Sequence, residues 1–68
     1  MEYRIETELE EDGRWIAEIT GLPGVMAYGV SEEDAMTRAE TMALRVIAER
    51  LEQHECRPMP ITISLAYA

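Results

Sequence analysis

Two glycine-bearing turns, Glu11-Asp12-Gly13 and Gly21-Leu22-Pro23-Gly24, cut the first thirty residues into three short strand patterns, and a helix start follows at once at Ser31. In residues 3–10, Tyr3, Ile5, Thr7 and Leu9 alternate with Arg4, Glu6, Glu8 and Glu10, the pattern of a half-buried strand. Glu11-Asp12-Gly13 fits a three-residue hairpin loop with Gly13 left-handed. That loop sets Leu9 against Trp15, Thr7 against Ala17 and Ile5 against Ile19, so all six share one face. A two-residue Asp12-Gly13 turn would instead oppose Trp15 to Glu10. A one-residue slip turns every side chain over, so the apolar pattern selects the longer loop.

Leu22-Pro23-Gly24 has proline and glycine in the second and third places of a type II turn. The third strand spans roughly 25–30, and its facing is open from its own residues. With Val25, Ala27 and Gly29 inward, Gly29 lies beside Trp15 and leaves room for a helix; Met26 and Tyr28 then join Ile16 outside. This facing is the preferred one.

Ser31 is a good N-cap, and Asp34 is a weaker form of the acid in a capping box. Glu32, Glu33 and Asp34 also suit the positive end of the helix dipole. The helix should reach about Gln53, a length of about 33 Å. Ala35, Met36, Ala39, Met42, Ala43, Val46 and Ile47 form one apolar stripe along it. Leu44, Ala48 and Leu51 fall outside that stripe and are candidate contacts between subunits. The rival explanation is incidental exposure, which is common for single apolar residues. Residues 54–60 are a connector stiffened by Pro58 and Pro60, and 61–65 are a last strand with Ile61, Ile63 and Leu65 inward.

Two hairpins make the first three strands an antiparallel meander. A long helix is the usual connection between parallel strands, so the last strand can return beside the first. The expected architecture is α+β: a single β-β-β-α-β domain over residues 1–68, with a four-stranded mixed sheet of order 3-2-1-4 and one helix on one face. The other face is left bare, carrying Arg4, Glu6, Glu8, Glu10, Glu18 and Thr62 with Ile16, Met26 and Tyr28.

At 68 residues the chain buries only a modest core, which makes self-association a reasonable expectation. Its net charge of −8, from 14 acids against 6 basic residues, all arginine, disfavours direct nucleic-acid binding and favours a basic protein partner. In acidic domains generally, such charge more commonly serves solubility alone. A single cysteine, Cys56, fits a reducing compartment. No secretory leader pattern or long apolar run is present, so a cytoplasmic location without membrane contact is expected.

No residue pattern points to catalysis. Glu6, Glu8 and Glu10 could suggest a metal cluster, but two-metal nuclease chemistry needs carboxylates converging from several elements, and the last strand offers only Thr62 and Ser64. An acidic solvated or partner-facing strand explains them better. His54 and Cys56 stand in a connector with no further histidine or cysteine, too few for zinc. Gly21-Leu22-Pro23-Gly24 lacks the Lys-Ser/Thr pair of a phosphate loop. No enzyme activity, cofactor or metal is therefore expected.

The run Glu11 to Ile19, then Gly21-Leu22-Pro23-Gly24, then Tyr28-Gly29-Val30-Ser31-Glu32-Glu33-Asp34-Ala35 resembles the HicB family of antitoxins. Members carry an acid-Gly turn, an aromatic-aliphatic-Ala strand, a Leu-Pro-Gly turn and a Ser/Thr-Glu-Glu-x-Ala helix start. The resemblance spans nearly the whole chain. It implies a partial RNase H fold and a role in a toxin-antitoxin system, binding and masking a small basic HicA-type ribonuclease. Full-length relatives usually add a C-terminal DNA-binding module; no such pattern follows the last strand here, so the resemblance implies no operator binding. On this basis Glu6, Glu8, Ile16, Glu18, Met26 and Tyr28 are the candidate partner-binding residues, in a homodimer or higher homo-oligomer. Acids would steer a basic partner and apolar residues would hold it. The rival reading is a stand-alone oligomeric scaffold or adaptor with no toxin.

Overall fold

Gly13 takes φ +88°, a left-handed conformation that glycine enters without steric cost, and this fixes the first hairpin. Its N–H donates to the Glu10 carbonyl (3.0 Å), and the Glu10 N–H donates to the Arg14 carbonyl (2.8 Å). The strands that leave this loop are β1 (Glu2–Leu9) and β2 (Trp15–Thr20). They pair in the expected register, Leu9 with Trp15, Thr7 with Ala17 and Ile5 with Ile19. The second turn closes through the Val25 N–H to the Leu22 carbonyl (3.1 Å), with Gly24 at φ +83° as a type II turn demands. It leads into β3 (Met26–Gly29), antiparallel to β2.

The structure, a computed structural model, describes residues 1–54 and 57–65. Helix α1 (Glu32–Glu52) follows β3, and β4 (Thr62–Leu65) lies parallel to β1. The sheet order is β3-β2-β1-β4, so the fold is α+β with β-β-β-α-β topology. Strands β1 and β4 each begin or end within a residue or two of the expected limits, the ordinary uncertainty of element ends.

Ser31 caps the helix: its Oγ accepts the Asp34 N–H at 3.1 Å. Asp34 reaches back as a capping-box acid does, but its Oδ2 accepts from the Val30 N–H (3.1 Å), one residue before the cap. This bond, foremost, and the Arg38 guanidinium beside it hold the Asp34 carboxyl below its ordinary value. At the other end Gln53 is the C-cap, and His54 follows in the left-handed region at φ +57°.

The core joins Ile5, Ala17, Ile19 and Val25 of the sheet side to Ala35, Ala39, Ala43 and Ile47 of the helix. Leu22 is buried with them, so the second turn is also a core anchor and more than the plain turn expected of it. The inward facing of Val25, Ala27 and Gly29 holds, because the helix comes down on Gly29. A Cβ there would lie 2.8 Å from the Cα of Ala35.

Burial on the helix departs from a fixed stripe. Ala35, Ala39, Ala43 and Ile47 are buried, and Leu51 packs half-buried against the same core. These residues are a row of i, i+4 steps, which runs at an angle to the helix axis. Contact therefore drifts around the helix toward its end, drawing Leu51 in and leaving Met42 on the surface. The helix lies over β3 and β2, meets β1 less, and does not lie over β4. That sideways placement accounts for two further departures. Leu9, on the helix side at the far end of β1, is 56% exposed, and Ile61, expected inward, is 39% exposed. Ile63 and Leu65 are half-buried.

Candidate functional site

The face of the sheet away from α1 carries no covering element among the described residues. Period-2 alternation sends every second residue of each strand to it. Register then arranges these residues in rows across the strands. One row is Tyr28, Ile16 and Glu8; the next is Met26, Glu18 and Glu6; a third is Thr20, Arg4 and Ser64. The six sequence-predicted contact residues, Glu6, Glu8, Ile16, Glu18, Met26 and Tyr28, thus fill two adjacent rows.

Two pairs set the character of this patch. The Ile19 N–H donates to the Val25 carbonyl (3.0 Å), and counting along the ladder from there makes Ile16 and Tyr28 a close, non-hydrogen-bonded pair. Tyr28 is 45% and Met26 40% exposed, so an apolar strip lies open on the acidic face. Glu6 stands directly opposite Glu18, and like charges opposed across strands are destabilising. Neither carboxylate has an arginine within ion-pair distance among the described residues. A shallow depression lined by Glu6, Glu8, Glu10, Ile16 and Glu18 joins the acids to the apolar strip.

The structure adds two residues that the sequence pattern did not single out. The Arg14 guanidinium lies 4.3 Å from the centre of the Tyr28 ring, a cation–π contact. Its Nε also donates to Asp12 Oδ2 (2.7 Å), and the Arg14 N–H donates to Asp12 Oδ1 (3.0 Å). The bond from the Arg14 backbone, and then the guanidinium, lower the Asp12 carboxyl from its ordinary value. The turn chemistry of Asp12-Gly13-Arg14 was the available signal, but the reach to Tyr28 depends on two strand registers at once.

The remaining candidates lie elsewhere. Leu44, 49% exposed, and Ala48 stand on the outer helix, while Leu51 is partly taken up by the core of its own chain. His54 is exposed beyond the helix end, and Cys56 lies outside the described residues. Among the described residues no three His, Cys, Asp or Glu side chains gather closely enough to hold a metal ion. No helix there is long and apolar enough to cross a membrane.

These features define a class by architecture: a single-helix α+β domain with one open, mixed acidic and apolar sheet face. No protein-family model matches the chain, and no curated protein or solved structure matches it.

Proposed function

We propose that the chain is an antitoxin-like protein-binding module, similar to HicB, that neutralises a small basic HicA-type ribonuclease by masking it. Support comes above all from the open sheet face, where Glu6 and Glu18 are opposed with no ion-pair partner among the described residues, beside exposed Met26 and Tyr28 and half-buried Ile16. Burying two unpaired carboxylates under an apolar partner would be costly; a basic partner supplies the missing charge. The strip provides area at the centre of the contact, where binding energy concentrates. The mechanism is steric and electrostatic: the bound toxin is denied its RNA, and no bond is made or broken.

The test uses the short, strongly basic product of the adjacent reading frame. Calorimetric titration of the wild-type chain should give a tight complex. Tyr28→Arg should weaken it at least about tenfold, or about 1.4 kcal/mol, with an unchanged circular dichroism spectrum. Unchanged affinity would move the interface off this face. The lack of a basic neighbour, with no rescue of growth on co-expression with candidate toxins, would favour the stand-alone scaffold instead.

A further inference from the structure

The edge strand β4 is built unlike the rest of the surface. The Thr62 N–H donates to the Met1 carbonyl (2.7 Å). Neighbouring residues of a strand direct their backbone groups to opposite edges, so those of Ile63 and Leu65 point outward, away from β1. Proteins normally guard such an edge with charge, proline, a bulge or a covering helix. Strand β4 (Thr62-Ile63-Ser64-Leu65) contains no charge and no proline, and α1 does not lie over it. Its helix-side residues Ile63 and Leu65, with Ile61 before them, form an aliphatic row that is only partly buried.

We propose that this edge pairs with the same edge of a second copy, antiparallel, about a two-fold axis at Ile63. Ile63 then opposes Ile63 of the second copy, and Ile61 opposes Leu65 in both directions. Each pair exchanges outward backbone hydrogen bonds, and the apolar rows meet side by side on one face. Thr62 and Ser64 oppose each other on the polar face.

Charge favours a second copy here over the open sheet face and the β3 edge. Each chain carries −8, so two copies meet most cheaply where acids are absent. The stretch from Arg57 to Leu65 has none. The open sheet face would set Glu6, Glu8 and Glu18 against their own copies. The opposite edge, β3, lies beside Glu32, Glu33 and Asp34 at the helix start, and its inward residues Ala27 and Gly29 offer little apolar area. The proposal is independent of the toxin reading and leaves the sheet face free for another partner.

Light scattering at tens of micromolar protein should give twice the 7.7 kDa chain mass. Amide hydrogen exchange followed by NMR then identifies the contact. The N–H groups of Ile63 and Leu65 should slow at least about tenfold from dilute to concentrated protein, while those of Thr62 and Ser64 barely change with concentration. Ile63→Lys should give a monomer with native circular dichroism; should that variant not fold, the exchange measurement on the wild-type chain decides. A monomeric wild-type protein overturns the proposal. So does a dimer whose Ile63 and Leu65 amides keep the same rate at all concentrations, or a folded Ile63→Lys chain that stays dimeric.

Discussion

Gly29 is the residue on which the sheet and the helix close. It needs no left-handed backbone; it needs the absence of a side chain, because the Ala35 backbone and the Asp34 carboxylate occupy the space a Cβ would take. Backbone cannot swing aside as a flexible side chain can. Gly29→Ala should therefore cost about 2–3 kcal/mol, the upper part of the roughly 1–3 kcal/mol range typical of forcing atoms into a packed site, read as a fall in the urea midpoint. A neutral result would mean that α1 can lift off β3 at Ala35 without loss of packing. Asp34 acts at the same corner through charge. Hydrogen bonds from Val30 and Arg38 lower its carboxyl in the folded chain, so the stability it lends is complete above the ordinary carboxylate range. That stability is lost as pH falls through the lowered value, in the window below about pH 4. Asp34→Asn keeps an acceptor for Val30 but has no proton to gain. Its unfolding midpoint should fall less steeply than the wild type between pH 5 and pH 2.5, and parallel curves would refute the role.

The strands and the helix were legible because their signals are local. Period-2 alternation, Gly13 at a three-residue loop and Ser31 before three acids each act within a few residues. Register followed, since only one loop length puts Leu9, Thr7 and Ile5 opposite Trp15, Ala17 and Ile19. What could not be read from the chain were quantities set between elements. The facing of β3 was open until Gly29 met Ala35, and the lateral position of α1 decides that Ile61 is exposed and Leu51 is not. The Arg14–Tyr28 contact also belongs to this class. On the open face, the opposition of Glu6 and Glu18 gives a prediction that separates a working surface from an idle one. Glu18→Gln should stabilise the free chain by about 0.2–1 kcal/mol, the worth of relieving a like-charge cross-strand pair. It should also slow association with a basic partner severalfold at low salt, with the difference fading at high salt. Higher stability with an unchanged association rate would mark the face as ordinary solvated sheet.

For the whole molecule, charge is the quantity that links stability to assembly. The two ion pairs among the described residues, Arg14–Asp12 and Arg38–Asp34, are exposed, and such pairs contribute little. Self-repulsion at a net charge of −8 is then the dominant long-range effect. The screening length shrinks from about 30 Å at 0.01 M salt to about 8 Å at 0.15 M, which is less than the width of the sheet. Raising salt over that range should raise the thermal midpoint of the chain. The same screening acts with opposite sign on the two proposed contacts. Two acidic copies joined through β4 repel each other over the rest of their surfaces, so salt should tighten the homodimer. A basic partner on the sheet face is drawn in by those same acids, so salt should loosen that complex. Sedimentation equilibrium of the chain alone and titration with the basic partner, each across this salt range, should therefore give dissociation constants that move in opposite directions. If both constants rise with salt, the homodimer contact is itself built on opposite charges, and an acid-free strand edge cannot be its centre.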